Sequence, residues 1–129
     1  MTGPKVAIVE DDVLIAMYLS DVVEDTGGTV CGLAHDPDAA ERLIRAERPD
    51  YVLMDVRLGH ARDGVDVAIS IYDDLPDTRV VYVTGSNEPG TIERIKGDHP
   101  WRIILKPADP TQIAEALSGV PAKGQRTLA

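Results

Sequence analysis

A chain of 129 residues, 43% hydrophobic and 27% charged, is the size of one compact domain with its own core and is too short for a second domain of ordinary size. Thirteen basic against 22 acidic residues give a formal charge of −9, which repels nucleic-acid phosphates and anionic membranes, so neither is expected as a partner. No apolar run approaches the roughly 20 residues that cross a bilayer, no cleavable leader precedes the first apolar stretch, and the single cysteine, Cys31, forms no internal disulfide; a cytoplasmic location is expected.

Val6-Ala7-Ile8-Val9 predicts the first strand, and the acidic run Glu10-Asp11-Asp12 follows it. Ile15, Tyr18, Leu19 and Val22 then fall at i, i+3, i+4 and i+7, one apolar stripe of a helix for which Asp12 is the N-cap. The second strand is expected at Thr29-Val30-Cys31-Gly32-Leu33. Asp36-Pro37, a capping side chain before a proline at the first helical position, opens the second helix, and Pro49 follows its end. Tyr51-Val52-Leu53-Met54 reads as the third strand, closed by Asp55. Val65, Ala68, Ile69 and Tyr72 repeat the helical spacing before Pro76. Val80-Val81-Tyr82-Val83 is the fourth strand, closed by Thr84, and Thr91 to Lys96, with Ile92 and Ile95, reads as a short fourth helix. Ile103-Ile104-Leu105 is the fifth strand, followed by Lys106-Pro107 and a last helix that opens at Asp109-Pro110. Residues 119–129 have no apolar period, so the expected division is a domain over 1–118 and a C-terminal tail.

Three of these strands are continuously apolar, the pattern of a parallel sheet covered on both faces. Alternation of strand and helix with right-handed crossovers predicts a doubly wound (βα)5 α/β fold, a flavodoxin-like three-layer sandwich with strand order 2-1-3-4-5. A ligand then belongs at the carboxyl ends of the first and third strands, where the order reverses.

Glu10, Asp11, Asp55, Thr84 and Lys106 all stand at such strand ends. Three clustered carboxylates repel one another unless a cation intervenes. Mg²⁺ takes oxygen ligands, keeps several waters and bridges to phosphate. Lys106 supplies a point charge and Thr84 a hydroxyl donor for phosphoryl oxygens. Asp55 is the carboxylate placed to act as nucleophile toward phosphorus.

In these motifs, Val9-Glu10-Asp11-Asp12, Leu53-Met54-Asp55, Val83-Thr84-Gly85 and Leu105-Lys106-Pro107, the chain resembles the receiver domain of two-component response regulators from about Lys5 to Leu117. The resemblance implies that Glu10 and Asp11 position Mg²⁺ and that Asp55 is both the phosphorylation site and a ligand. It implies further that the Arg57 backbone carbonyl completes the protein ligands, that Thr84 is the switch hydroxyl, and that Lys106, before a cis bond to Pro107, contacts the phosphoryl group. The implied partners are a histidine kinase or histidine phosphotransfer protein and a downstream protein target, with a homodimer formed on phosphorylation. The domain would be a stand-alone signalling acceptor and not an enzyme in the ordinary sense.

Two positions depart from the family pattern. Ile103 stands where an aromatic switch residue is common, and neither Tyr82 nor Trp101 occupies the matching place. The loop after Asp55 carries Gly59 where proline is common and is one residue longer than usual. Gly85 and the missing aromatic resemble a subgroup with a Phe-Ala-Thr-Gly signature, here Tyr82-Val83-Thr84-Gly85. Cys31 reads as an inert buried thiol, Arg57 and Arg62 as loop solubility charges, and His35, His60 and His99 lack metal-ligand spacing. The alternatives are a pseudo-receiver that binds partners without phosphorylation, a receiver excised from a longer regulator, and an aspartate-nucleophile phosphatase. Arg57, where the last would need a second acid, argues against it.

Overall fold

The computed structural model describes residues 3–85, 89–97 and 102–118; the expected tail, Trp101 and His99 lie outside the described residues. Five strands, β1 (Lys5–Val9), β2 (Thr29–Ala34), β3 (Tyr51–Met54), β4 (Arg79–Thr84) and β5 (Arg102–Leu105), alternate with α1 (Val13–Asp25), α2 (Pro37–Glu47), α3 (Gly64–Tyr72), α4 (Pro89–Gly97) and α5 (Pro110–Ser118). The strands form one parallel sheet in the order β2-β1-β3-β4-β5, as the sequence predicts.

The period-2 alternation of side chains divides the core into two layers. Ala7, Val9, Val52, Met54, Val80 and Tyr82 point to one face and pack with Ala40 and Ile44 of α2, Val65, Val67, Ala68 and Ile71 of α3, and Ile95 of α4. Val6, Ile8, Tyr51, Leu53, Val81 and Val83 point to the other, against α1 and α5. Both faces are covered, which is why β1, β3 and β4 read as unbroken apolar runs.

Caps set the helix starts. Asp12 accepts from Leu14 N and Ile15 N, and Asp36 accepts from Ala39 N ahead of Pro37. The α3 start carries a signal that the sequence reading missed, a capping box in which Asp63 and Asp66 each accept from the other's backbone N–H.

Two expected stripes are corrected. On α1 the core face is Ala16, Leu19, Val22 and Val23, whereas Tyr18 is exposed and its hydroxyl donates to Ala108 O at 2.9 Å. On α3 Val67 and Ile71 turn inward and Ile69 is exposed. Both helices carry apolar residues around much of their circumference, so spacing alone does not single out the face that the sheet covers.

Candidate functional site

Parallel register brings the strand ends level. Val9 pairs with Met54, and Asp55 N donates to Val9 O at 2.9 Å, so Asp55 follows β3 where Glu10 follows β1. Lys106 N donates to Thr84 O at 2.9 Å, which aligns the ends of β4 and β5 in the same way. These bonds continue the ladder that makes the sheet and so hold the strand ends level.

Glu10, Asp55 and Thr84 are buried, and Asp11 faces solvent. The carboxylates of Glu10, Asp11 and Asp55 offer oxygens that all lie within 4.8 Å of one another. Lys106 Nζ stands 2.8 Å from Glu10 Oε1 and 3.4 Å from Asp55 Oδ2. Burial, and next the close Glu10 carboxylate, push the Asp55 pKa up to about 7, while Lys106 pulls in the opposite direction. Burial works to lower the Lys106 pKa, but the Glu10 and Asp55 carboxylates outweigh it and hold the ammonium above its ordinary range.

The donor set fits a hard divalent cation. It consists of carboxylate oxygens only, and Asp11 leaves one side open to water. Glu10 Oε1 is buried and forms an ion pair with Lys106 without an aligned hydrogen-bond donor, which leaves it a lone pair that a cation could take. The Lys106–Pro107 peptide is cis, as the family resemblance implies.

The loop after Asp55 is tied down at several points. Leu58 is buried in the core, and Gly59 at φ 72 runs past Asp11, where a Cβ would come within 3.8 Å of Oδ2. Gly64 N donates to Val56 O at 2.8 Å, and a Cβ on Gly64 would stand 2.2 Å from Asp55 O. Only glycine allows this approach. Arg57 is exposed. Arg62 is not the solubility charge expected of it: Nη1 lies 3.1 Å from Asp38 Oδ1 and Nη2 2.5 Å from Glu41 Oε1, pinning the loop to α2. Cys31 is half-buried rather than buried, and burial pushes its thiol pKa up, in keeping with low reactivity. Ile103 is half-buried against the layer that contains Tyr82, its register partner on β4.

Comparison with known proteins bears on the fold and the family. The chain is similar to the transcriptional regulatory protein PdtaR of Mycobacterium tuberculosis, 29% identical over 127 residues, which cover 91% of this chain and 61% of PdtaR; it thus spans about three-fifths of that relative's length. It is also similar to the chemotaxis protein CheY of Thermotoga maritima, 29% identical over 119 residues, covering 92% of this chain and 98% of CheY. The solved structure of the signal receiver domain of the response regulator NarL from Mycobacterium tuberculosis superposes with a TM-score of 0.83 at 29% identity, covering 90% of this chain and 94% of that one. The response regulator receiver domain model matches residues 6–118, nearly the whole of the described fold, and the chain therefore belongs to the response-regulator receiver family.

Proposed function

We propose that the chain is a Mg²⁺-dependent phospho-acceptor of a two-component relay, which takes a phosphoryl group on Asp55 from a phosphohistidine of a histidine kinase or phosphotransfer protein. Receiver domains are signalling domains rather than ordinary enzymes, and they typically bind Mg²⁺ at an acidic pocket. The observation that carries the reading is the buried Asp55 carboxyl beside Glu10, with the Lys106 ammonium in contact with both, at one sheet edge.

In the proposed reaction an Asp55 oxygen attacks phosphorus, the phosphorus–nitrogen bond of the donor breaks, and its electron pair returns to the imidazole, which takes a proton. Lys106, already within 3.4 Å of Asp55, offsets charge on the transferred oxygens, and Thr84 supplies a hydroxyl from the end of β4. Glu10, Asp11, Asp55 and the Arg57 carbonyl would hold the cation. When bound, Mg²⁺ supplies positive charge that allows the carboxylates and a phosphoryl group to share one site. A phosphorylated Asp55 would bias a conformational equilibrium through Thr84 and Lys106. The output would be protein binding, in the cytoplasm, with a homodimer as one form; no described helix is long and apolar enough to cross a membrane.

Intact mass after incubation with acetyl phosphate, with and without Mg²⁺, tests the proposal. One phosphoryl adduct that needs Mg²⁺ and is lost in Asp55→Asn is expected. No adduct on folded protein, with a donor active on another receiver, would replace this reading with the pseudo-receiver that Ile103 invites.

A further inference from the structure

Arg94, on α4, reaches across to the start of α3. Its Nη1 is 2.7 Å from Asp63 Oδ2 and its Nη2 3.1 Å from Asp66 Oδ1. Both acids already serve the α3 capping box: Asp63 Oδ1 accepts from Asp66 N at 3.0 Å, and Asp66 Oδ2 accepts from Asp63 N at 2.9 Å. That capping turn is the far end of the loop that begins at Asp55. Gly64 closes it, with its N–H on Val56 O and its Cα seated against the Asp55 carbonyl. Arg94 thereby fastens α4 to the acceptor loop.

Among the described side chains of α4 Ile95 alone is fully buried, Ile92 is half-buried, and Gly90 is exposed with open space around it. Elements with few buried apolar side chains open at a lower free energy than the core they lie on. Ile103 is an aliphatic residue in a half-buried position on the neighbouring strand, so a ring swinging between exposed and buried positions is not available there to report the state of Asp55.

We propose that the Arg94 bridge to Asp63 and Asp66 is a latch that holds α4 in its resting arrangement and couples that helix to the phosphorylation state of Asp55. The coupling rests on the phospho-acceptor reading above. The side chains of Arg94, Asp63 and Asp66 are 47%, 24% and 39% exposed, and partly exposed ion pairs of this kind shift an equilibrium by a few-fold rather than locking it. A modest bias suits a switch, because ligand binding at Asp55 then has to overcome only that bias to move α4.

Two measurements on the full chain test the latch. Hydrogen exchange of the ligand-free protein should show α4 amides exchanging about three- to fivefold faster in Arg94→Gln than in the parent, with α1 amides unchanged and Arg94→Lys in between. Calorimetry with Mg²⁺ and beryllium fluoride, a phosphoryl mimic, should show about threefold tighter binding to Arg94→Gln, because the resting state no longer competes as well. Unchanged α4 exchange, or equal or weaker binding of the mimic by Arg94→Gln, overturns the latch while a parent that binds the mimic through Asp55 leaves the phospho-acceptor reading standing. A parent that binds no mimic overturns that reading and the coupling with it, and the ligand-free exchange distinguishes the two failures because it makes no use of Asp55.

Discussion

Lys106 Nζ lies 2.8 Å from Glu10 Oε1 and joins the end of β5 to the end of β1 across the two strands between them. Glu10 is 1% exposed; its Oε2 accepts from Asp12 N at 3.2 Å, and the Lys106 ammonium is the positive charge beside its Oε1. Removing one partner of a buried pair leaves the other charged and dehydrated, at a cost of about 3 kcal/mol. Urea unfolding of Lys106→Met without Mg²⁺ is expected to show a loss of this order, and millimolar Mg²⁺ should restore part of it. Equal stability of parent and variant would show that Glu10 is compensated in another way.

The Asp55 pKa of about 7 makes cation binding sensitive to pH. Below that value the carboxyl holds a proton which a metal must displace, so Mg²⁺ affinity should fall by up to about tenfold per pH unit under pH 7 and level off above it. The effect on folding has a definite sign. A carboxyl whose folded pKa is raised favours the fold most when protonated, below its ordinary value of 3.8, and that advantage is lost as the pH rises to about 7. The metal-free parent should therefore lose stability relative to Asp55→Asn across this window. Calorimetric titration with Mg²⁺ from pH 5.5 to 8.5, and paired urea curves at pH 4 and pH 7.5, are the measurements; flat profiles would contradict the raised pKa.

Glu41 on α2 behaves in the opposite way. It accepts from Ser70 Oγ at 2.7 Å, from Arg62 at 2.5 Å and from Arg45 at 3.0 Å, and these donors, Ser70 foremost, lower its pKa to about 2. A depressed carboxylate contributes stability above its ordinary value of 4.5 and loses it as the pH falls toward 2. Glu41→Gln is expected to lose on the order of 1–2 kcal/mol at pH 7, after allowance for solvent screening, and less at pH 3. Urea unfolding at the two pH values checks the difference, and a loss that is the same at both would remove the carboxylate charge as its cause.

Gly64 offers a steric test. A methyl group there would stand 2.2 Å from Asp55 O and 2.8 Å from Met54 Cγ. The methionine can yield, but the backbone carbonyl cannot without moving Asp55. Gly64→Ala is expected to lose about 2–3 kcal/mol of stability and to weaken Mg²⁺ binding as well, measured by urea unfolding and calorimetry. Gly90→Ala, where the added carbon meets nothing within 4 Å, is the control and should leave Mg²⁺ binding unchanged.

The strands and most helix starts were legible because their causes are local. β-Branched runs that suit both faces of a buried sheet, and the Asp36-Pro37 and Asp109-Pro110 pairs, act within a few residues of themselves. The Asp63-Asp66 box is equally local but less legible, because an aspartate at the third helical position is a weaker signature than glutamate. The cluster of Glu10, Asp11, Asp55, Thr84 and Lys106 could be gathered on paper for a different reason: in a parallel sheet every strand delivers its carboxyl end to one edge, so position along each strand suffices.

By itself, then, the sequence determined the kind of each element and which residues end the strands, since both follow from local pattern; the order 2-1-3-4-5, expected from the doubly wound class, is the one the structure has. Only the tertiary structure decided which side of α1 and α3 faces the core, as Tyr18 and Ile69 show, because the choice belongs to the sheet that covers the helix. It alone also decided the partners of Arg62 and Arg94, which pair with acids 21 to 31 residues distant. Charges so far apart in the chain have no local signature, and their pairing depends on the helices first being docked side by side on one face of the sheet.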